Sequence, residues 1–181
     1  VIYGGGGYNT VAAWKGGGLD VTNCVEPVCS DLVDTFGGER LSDGTDIFGE
    51  GYSDCVLMTS TGLIENEPEV VEGVLKALMV SQQFVEQNQD AAIDITFGKW
   101  YKVAERSLVE LALGSVYPQI DQRNQIDFIM NGVAFMKELG YITDNNASLV
   151  DSPDKVFDWD PMLNVIDENP ELYDSLEAKS E

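Results

Sequence analysis

Residues 52–60 read YSDCVLMTS. The centre, Cys55-Val56-Leu57-Met58, is continuously apolar, the pattern of a strand buried on both faces. Upstream, Val1 to Tyr3 reads as a strand end and Leu19-Asp20-Val21-Thr22 as a short strand, with one more at Arg40 to Ser42. Between them, Asn9 or Thr10 caps a short helix that Gly16-Gly17-Gly18 stops. Pro27 starts another helix, with Val28, Leu32, Val33 and Phe36 at helical spacing. The first part of the chain thus predicts short β/α units.

Downstream of residue 60 the pattern changes to helix. Thr61 to Asn66 is a short helix. Pro68 opens a long one to about Gln87, with Val70, Val71, Val74, Leu75, Leu78, Met79 and Val85 on one broad face. Asn88 restarts it, and further helices are expected over residues 99–113 and 122–139. Gly140 caps the last of these. The acidic tail, residues 143–181, carries two helical pieces, after Asp160-Pro161 and Asn169-Pro170. Phe157, Trp159, Met162, Leu163 and Ile166 are placed to pin it, and the last ten residues read as frayed. One strong strand ahead of so many helices cannot complete a sheet, so a partner segment is expected to be missing.

Composition limits the function. The 32 acidic and 10 basic residues among 181 give a net charge of −22. Phosphate contacts need Lys and Arg, so nucleic acid and anionic lipid are poor partners. There is no histidine. That removes Ser-His-Asp and Cys-His catalysis and imidazole acid–base work. No apolar run approaches the ~20 residues that span a bilayer. The chain lacks an initiator Met and a recognisable signal segment, which reads as a processed chain or a fragment. Cys24 and Cys29 can be bridged if the turn between them brings their Cα atoms to roughly 5.5 Å; Cys55 is the odd thiol.

The opening VIYGGGGYNT, residues 1–10, raises the question of a phosphate loop. No Gly-Lys-Ser/Thr follows the glycines, and the third glycine of a dinucleotide loop would fall on Asn9 or Thr10, so both nucleotide motifs fail. Two readings remain. One is a flexible loop. The other is a ligand-facing loop whose glycines let the backbone approach and whose following helix offers free N–H groups. Glu26, at a helix start, is either a terminal charge favoured by the dipole or a cleft residue. Tyr52 either stacks on a ligand or plugs the core. Phe97, Trp100 and Tyr101 read as core. The tail acids Asp158/Asp160 and Asp167/Glu168 lack the spacing of a calcium loop and read as solvated charge.

Three stretches carry a resemblance. AAWKGGGLDVTNCVEPVCSDLV (residues 12–33), GEGYSDCVLMTSTGLIENEPEVVEGVLKALMVSQQFVEQNQDAA (49–92) and FIMNGVAFMKELGYI (128–142) resemble, in order and spacing, segments of ABC-transporter substrate-binding proteins of the nitrate/sulfonate/taurine and thiamine-pyrimidine-precursor type. The resemblance implies the C-terminal part of a two-lobe α/β periplasmic-binding-protein fold. Residues 1–50 would belong to the second lobe, 51–145 would return to the first lobe, and 146–181 would pack on it as an acidic tail.

It also implies an extracytoplasmic, non-enzymatic solute-binding component that delivers a small anionic or polar solute to a membrane permease. No cofactor and no metal are implied. Tyr8, Asn9, Thr10, Glu26 and Tyr52 would line the cleft. The related pyrimidine synthases resemble enzymes built on a histidine and a cysteine cluster, which this chain lacks. The alternative is a sensing or interaction module of the same fold, in which an uncovered edge pairs with another copy.

Overall fold

The computed structural model describes residues 8–103 and 105–180, with side chains for residues 9–103 and 105–180. It is 58% helical with 1% strand and no sheet. The α/β two-lobe fold is therefore overturned: the described chain is helical.

The expected strands explain why. Residues 19–22 are irregular with a bend, residues 40–42 form no element, and 52–60 runs without turn or bend and makes no β ladder. Residues 1–3 lie outside the described part. A β-strand is completed by a neighbour's N–H and C=O groups, and apolar patterning alone supplies none. Among the described residues the β pairing is one isolated bridge, Phe97 to Tyr101.

The helices follow sequence punctuation. They are α1 (Tyr8–Lys15), α2 (Val28–Asp34), α3 (Thr45–Phe48), α4 (Thr61–Asn66), α5 (Pro68–Gln87), α6 (Gln89–Thr96), α7 (Arg106–Ser115), α8 (Ile126–Glu138), α9 (Pro153–Val156), α10 (Asp160–Glu168) and α11 (Pro170–Asp174). Ser60 caps α4, its hydroxyl accepting from Leu63 N at 3.2 Å, which satisfies a donor the helix cannot. Beyond α8, Gly140 takes φ of 78° and Tyr141 N donates back to Met136 O at 3.0 Å. The helix expected over 99–113 starts only at Arg106. Ahead of it Trp100 is 67% exposed and Tyr101 is exposed too, so only Phe97 of that aromatic trio packs on a core.

The chain divides into two compact units. One takes residues up to Asp43 together with Asn88–Tyr117. Val11, Val28 and Leu32 form one core there, with Trp14, Cys24 and Phe36 against it. Ile93, Val103, Leu108 and Val109 form a second. The other unit takes Gly44–Gln87 and Pro118–Glu181. Its core is Val71, Leu75 and Met79 of α5 closed by Met162 and Val165 of α10 and by Leu176. Positions 71, 75 and 79 recur every fourth residue, so one stripe of α5 meets one stripe of α10. The tail is not frayed: Leu176 and Ser180 are buried. Among the described residues no helix is long and apolar enough to cross a membrane.

Candidate functional site

Glu26 stands in a loop closed by a disulfide. Cys24 and Cys29 are bridged, their Cα atoms 5.5 Å apart, and the Glu26–Pro27 peptide is cis. The Glu26 carboxylate accepts from Ser30 N at 3.1 Å, in the first turn of α2 where unpaired N–H groups favour a negative charge. Its other oxygen accepts from Arg40 at 2.5 Å. Arg40 also reaches the Ser30 hydroxyl at 3.4 Å. The carboxylate is mostly buried, so Arg40 presents the more accessible end of the pair. An amine would have to displace Arg40 to reach Glu26. An anion has Arg40 to meet directly.

The remaining positions implied by the resemblance are placed as follows. Thr10 is buried on α1, one residue before Val11, which packs against α2. Asn9 is exposed. Tyr8 begins α1, and its side chain lies outside the described part. The glycines at 4–7 do too. Tyr52 belongs to the other unit. It is half-buried in an aromatic cluster, its ring 5.3 Å from Phe48 and 6.1 Å from Phe128. A Cβ on Gly44 would come 2.3 Å from the Tyr52 hydroxyl, and Gly44 holds φ of +93°, so both space and backbone demand glycine. Tyr52 in this cluster is a packing residue. Glu26 and Thr10 share a unit, and Tyr52 does not belong to it.

Sequence reading missed a buried polar network in the second unit. Asp121 has a fully buried side chain. Arg123 grips it through Nε at 2.9 Å and Nη2 at 2.7 Å, and the Tyr173 hydroxyl donates to it at 2.5 Å. Burial alone would raise the Asp121 carboxyl. The hydrogen bonds from Arg123 and Tyr173 outweigh it and hold the group below the ordinary carboxylate range. Burial and the Asp121 bond raise the Tyr173 phenol. The hydrogen bond to Asp121 raises Arg123 further above its already high value.

Gln82, buried mid-α5, extends the network. Its amide donates to Ala178 O at 2.6 Å and its oxygen accepts from Ile120 N at 2.9 Å. Glu86 takes the N–H groups of Glu177 and Ala178, and Ser180 Oγ bridges Asn124 N and Asp121 O. These bonds close the tail onto α5 and the 118–124 loop. Among the described residues every buried side-chain nitrogen and oxygen has a hydrogen-bond partner, which marks a latch rather than a reactive centre. The only sequence hint was the D-x-R spacing of Asp121 and Arg123, which is too common to single out.

Among the described residues no group of three His, Cys, Asp or Glu side chains converges to hold a metal ion. No protein-family model, curated protein or solved structure matches the chain.

Proposed function

We propose that this chain is a non-catalytic solute-binding protein, acting outside the cytoplasm and passing a small anionic or polar solute to the permease of an ABC importer. The proposal concerns activity and not the α/β architecture, which the helical structure overturns. One observation carries it: the ordered resemblance over residues 49–92, in which the helix starts expected at Thr61, Pro68 and Asn88 fall at or within one residue of the starts of α4, α5 and α6. Two further features support it. The Cys24–Cys29 bridge suits an oxidising compartment. The Arg40–Glu26 pair at the start of α2 offers a guanidinium with planar donors to an oxyanion, a sulfonate or a carboxylate.

The test is a thermal-shift screen of the chain against nitrate, alkyl and aryl sulfonates, taurine, carboxylates and pyrimidines. A ligand bound only to the folded state raises the midpoint once its concentration exceeds Kd. An anion that shifts wild type and fails to shift Arg40→Ala supports the reading. No shift from any compound at millimolar concentration sinks it. A second reading, an interaction module, is favoured by one observation: α8 fully buries none of its apolar side chains, and Phe135 and Met136 are exposed.

A further inference from the structure

The apolar run at residues 55–59 is the largest inconsistency between this sequence and its structure. Val56, Leu57 and Met58 are 48%, 54% and 84% exposed. Among the described residues, the backbone groups of Val56, Leu57, Met58 and Thr59 have no hydrogen-bond partner. The run is nevertheless fixed at its start. Gln122 donates to Cys55 O at 2.9 Å, Ser53 donates to Gln122 at 3.1 Å, and Tyr52 lies against Phe128 at the beginning of α8. At its end Ser60 caps α4. An anchored, unbent, apolar segment with free N–H and C=O groups is an open template for strand pairing. Natural edges are blunted with Lys, Pro or an inward charge, and residues 55–60 contain none of these.

Helix α8, whose first turn meets Tyr52 through Phe128, carries a second uncovered surface. On α8, Phe128, Phe135, Met136 and Leu139 fall on one stripe at helical spacing. Phe128 closes the aromatic cluster, while the other three are exposed. Gly132 lies in the middle of that stripe with open space around it, so another backbone can approach closely. The three strand residues and the three α8 residues expose on the order of 600 Å² of apolar side chain per copy, close to the ~800 Å² each side contributes to a standard interface.

We propose that a second copy of this chain covers this surface, residues 55–59 of the two copies pairing antiparallel about a two-fold axis at Leu57. This register sets Leu57 opposite Leu57, Val56 opposite Met58 and Cys55 opposite Thr59; the neighbouring registers that two-fold symmetry allows would set Asp54 opposite Met58 or Ser60 opposite Val56. Charge selects the occupant. Residues 55–64 carry no charged side chain in a chain of net −22. A charge-depleted core lets two such surfaces meet without burying like charges. The remaining acids repel at long range, so salt strengthens the pairing, whereas a basic partner would bind more weakly in salt.

The experiment is sedimentation equilibrium of the whole chain at micromolar concentration in 0.05, 0.15 and 1 M NaCl. The expected result is a monomer–dimer equilibrium whose association constant rises at least tenfold from the lowest to the highest salt. Leu57→Lys lowers that constant at least a hundredfold while leaving the helical circular dichroism unchanged, and the melting midpoint unchanged at concentrations where both proteins are monomeric, since Leu57 is exposed in the single chain. On a Cys55→Ser background, Leu57→Cys oxidises to a covalent dimer and Thr59→Cys does not, because only position 57 faces itself. A monomer under all three salts overturns the proposal. So does a dimer indifferent to Leu57→Lys, one that salt weakens, or one in which position 59 cross-links as readily as 57.

Discussion

Replacing Asp121 with alanine should destabilise the second unit by about 3 kcal/mol. The Asp121 side chain is fully buried and accepts from Arg123 N, Arg123 Nε, Arg123 Nη2 and the Tyr173 hydroxyl. Removing one member of a buried ion pair costs ~3–5 kcal/mol, mostly because the survivor is left without a partner. Arg123 is 32% exposed, so water recovers part of that loss and the lower end applies. At roughly 2–4 °C per kcal/mol for a chain of this length, the midpoint falls by about 10 °C. Trp159 reports this unit once Trp14 and Trp100, both in the other unit, are changed to phenylalanine.

A double-mutant cycle with Tyr173→Phe isolates the pair and should give a coupling of about 1 kcal/mol. A loss below about 1 kcal/mol for Asp121→Ala, or strict additivity in the cycle, would refute the latch. The pH dependence follows the same groups. Asp121 lies below its unfolded value of 3.8, so its contribution is complete above that value and is lost as pH falls through the lower folded value. Tyr173 lies above 10.0, so its contribution is complete below that value and is lost as pH rises through the higher folded one. Asp121→Ala should remove the acid-side loss, measurable by urea titration at stepped pH.

Other perturbations test the remaining structure. Met79 is 0% exposed between α5 and α10, so Met79→Ala should cost about 2–5 kcal/mol by urea denaturation. Gly44→Ala forces a Cβ against Tyr52 at positive φ and should cost about 1–3 kcal/mol, with altered Tyr52 near-ultraviolet dichroism. Opening the Cys24–Cys29 loop by a double serine change should lower stability by about 2 kcal/mol, the loop-closure entropy of a sequence separation of 5, read from the thermal midpoint of the first unit. Ser60→Ala removes the α4 cap and should cost about 1 kcal/mol in the second unit.

The sequence by itself determined most of the helices after residue 60, though not the start of α7 or the presence of α9. Pro68, Asn88 and Gly140 punctuate them, and the broad apolar face of α5 contains Val71, Leu75 and Met79, the stripe that packing selects as core while Val70 and Val74 stay exposed. Those signals are local, because capping, φ restriction and amphipathic spacing act within a few residues. It also placed Glu26 at the start of a helix and set the condition for a Cys24–Cys29 bridge. The resemblance supplied the proposed task and the positions Tyr8, Asn9, Thr10 and Tyr52.

Tertiary structure decided the rest. Residues 52–60 have a strand's composition, yet a strand exists only when another segment supplies hydrogen bonds, and no local pattern reports whether that segment is there. The buried Asp121 was equally illegible. Asp121, Arg123, Tyr173, Gln82 and Ser180 are separated by up to 98 residues in the chain (180 − 82) and become one network only when the tail folds back on α5. Burying a carboxylate is favourable only where partners from distant segments converge on it, and that convergence is a property of the packed chain.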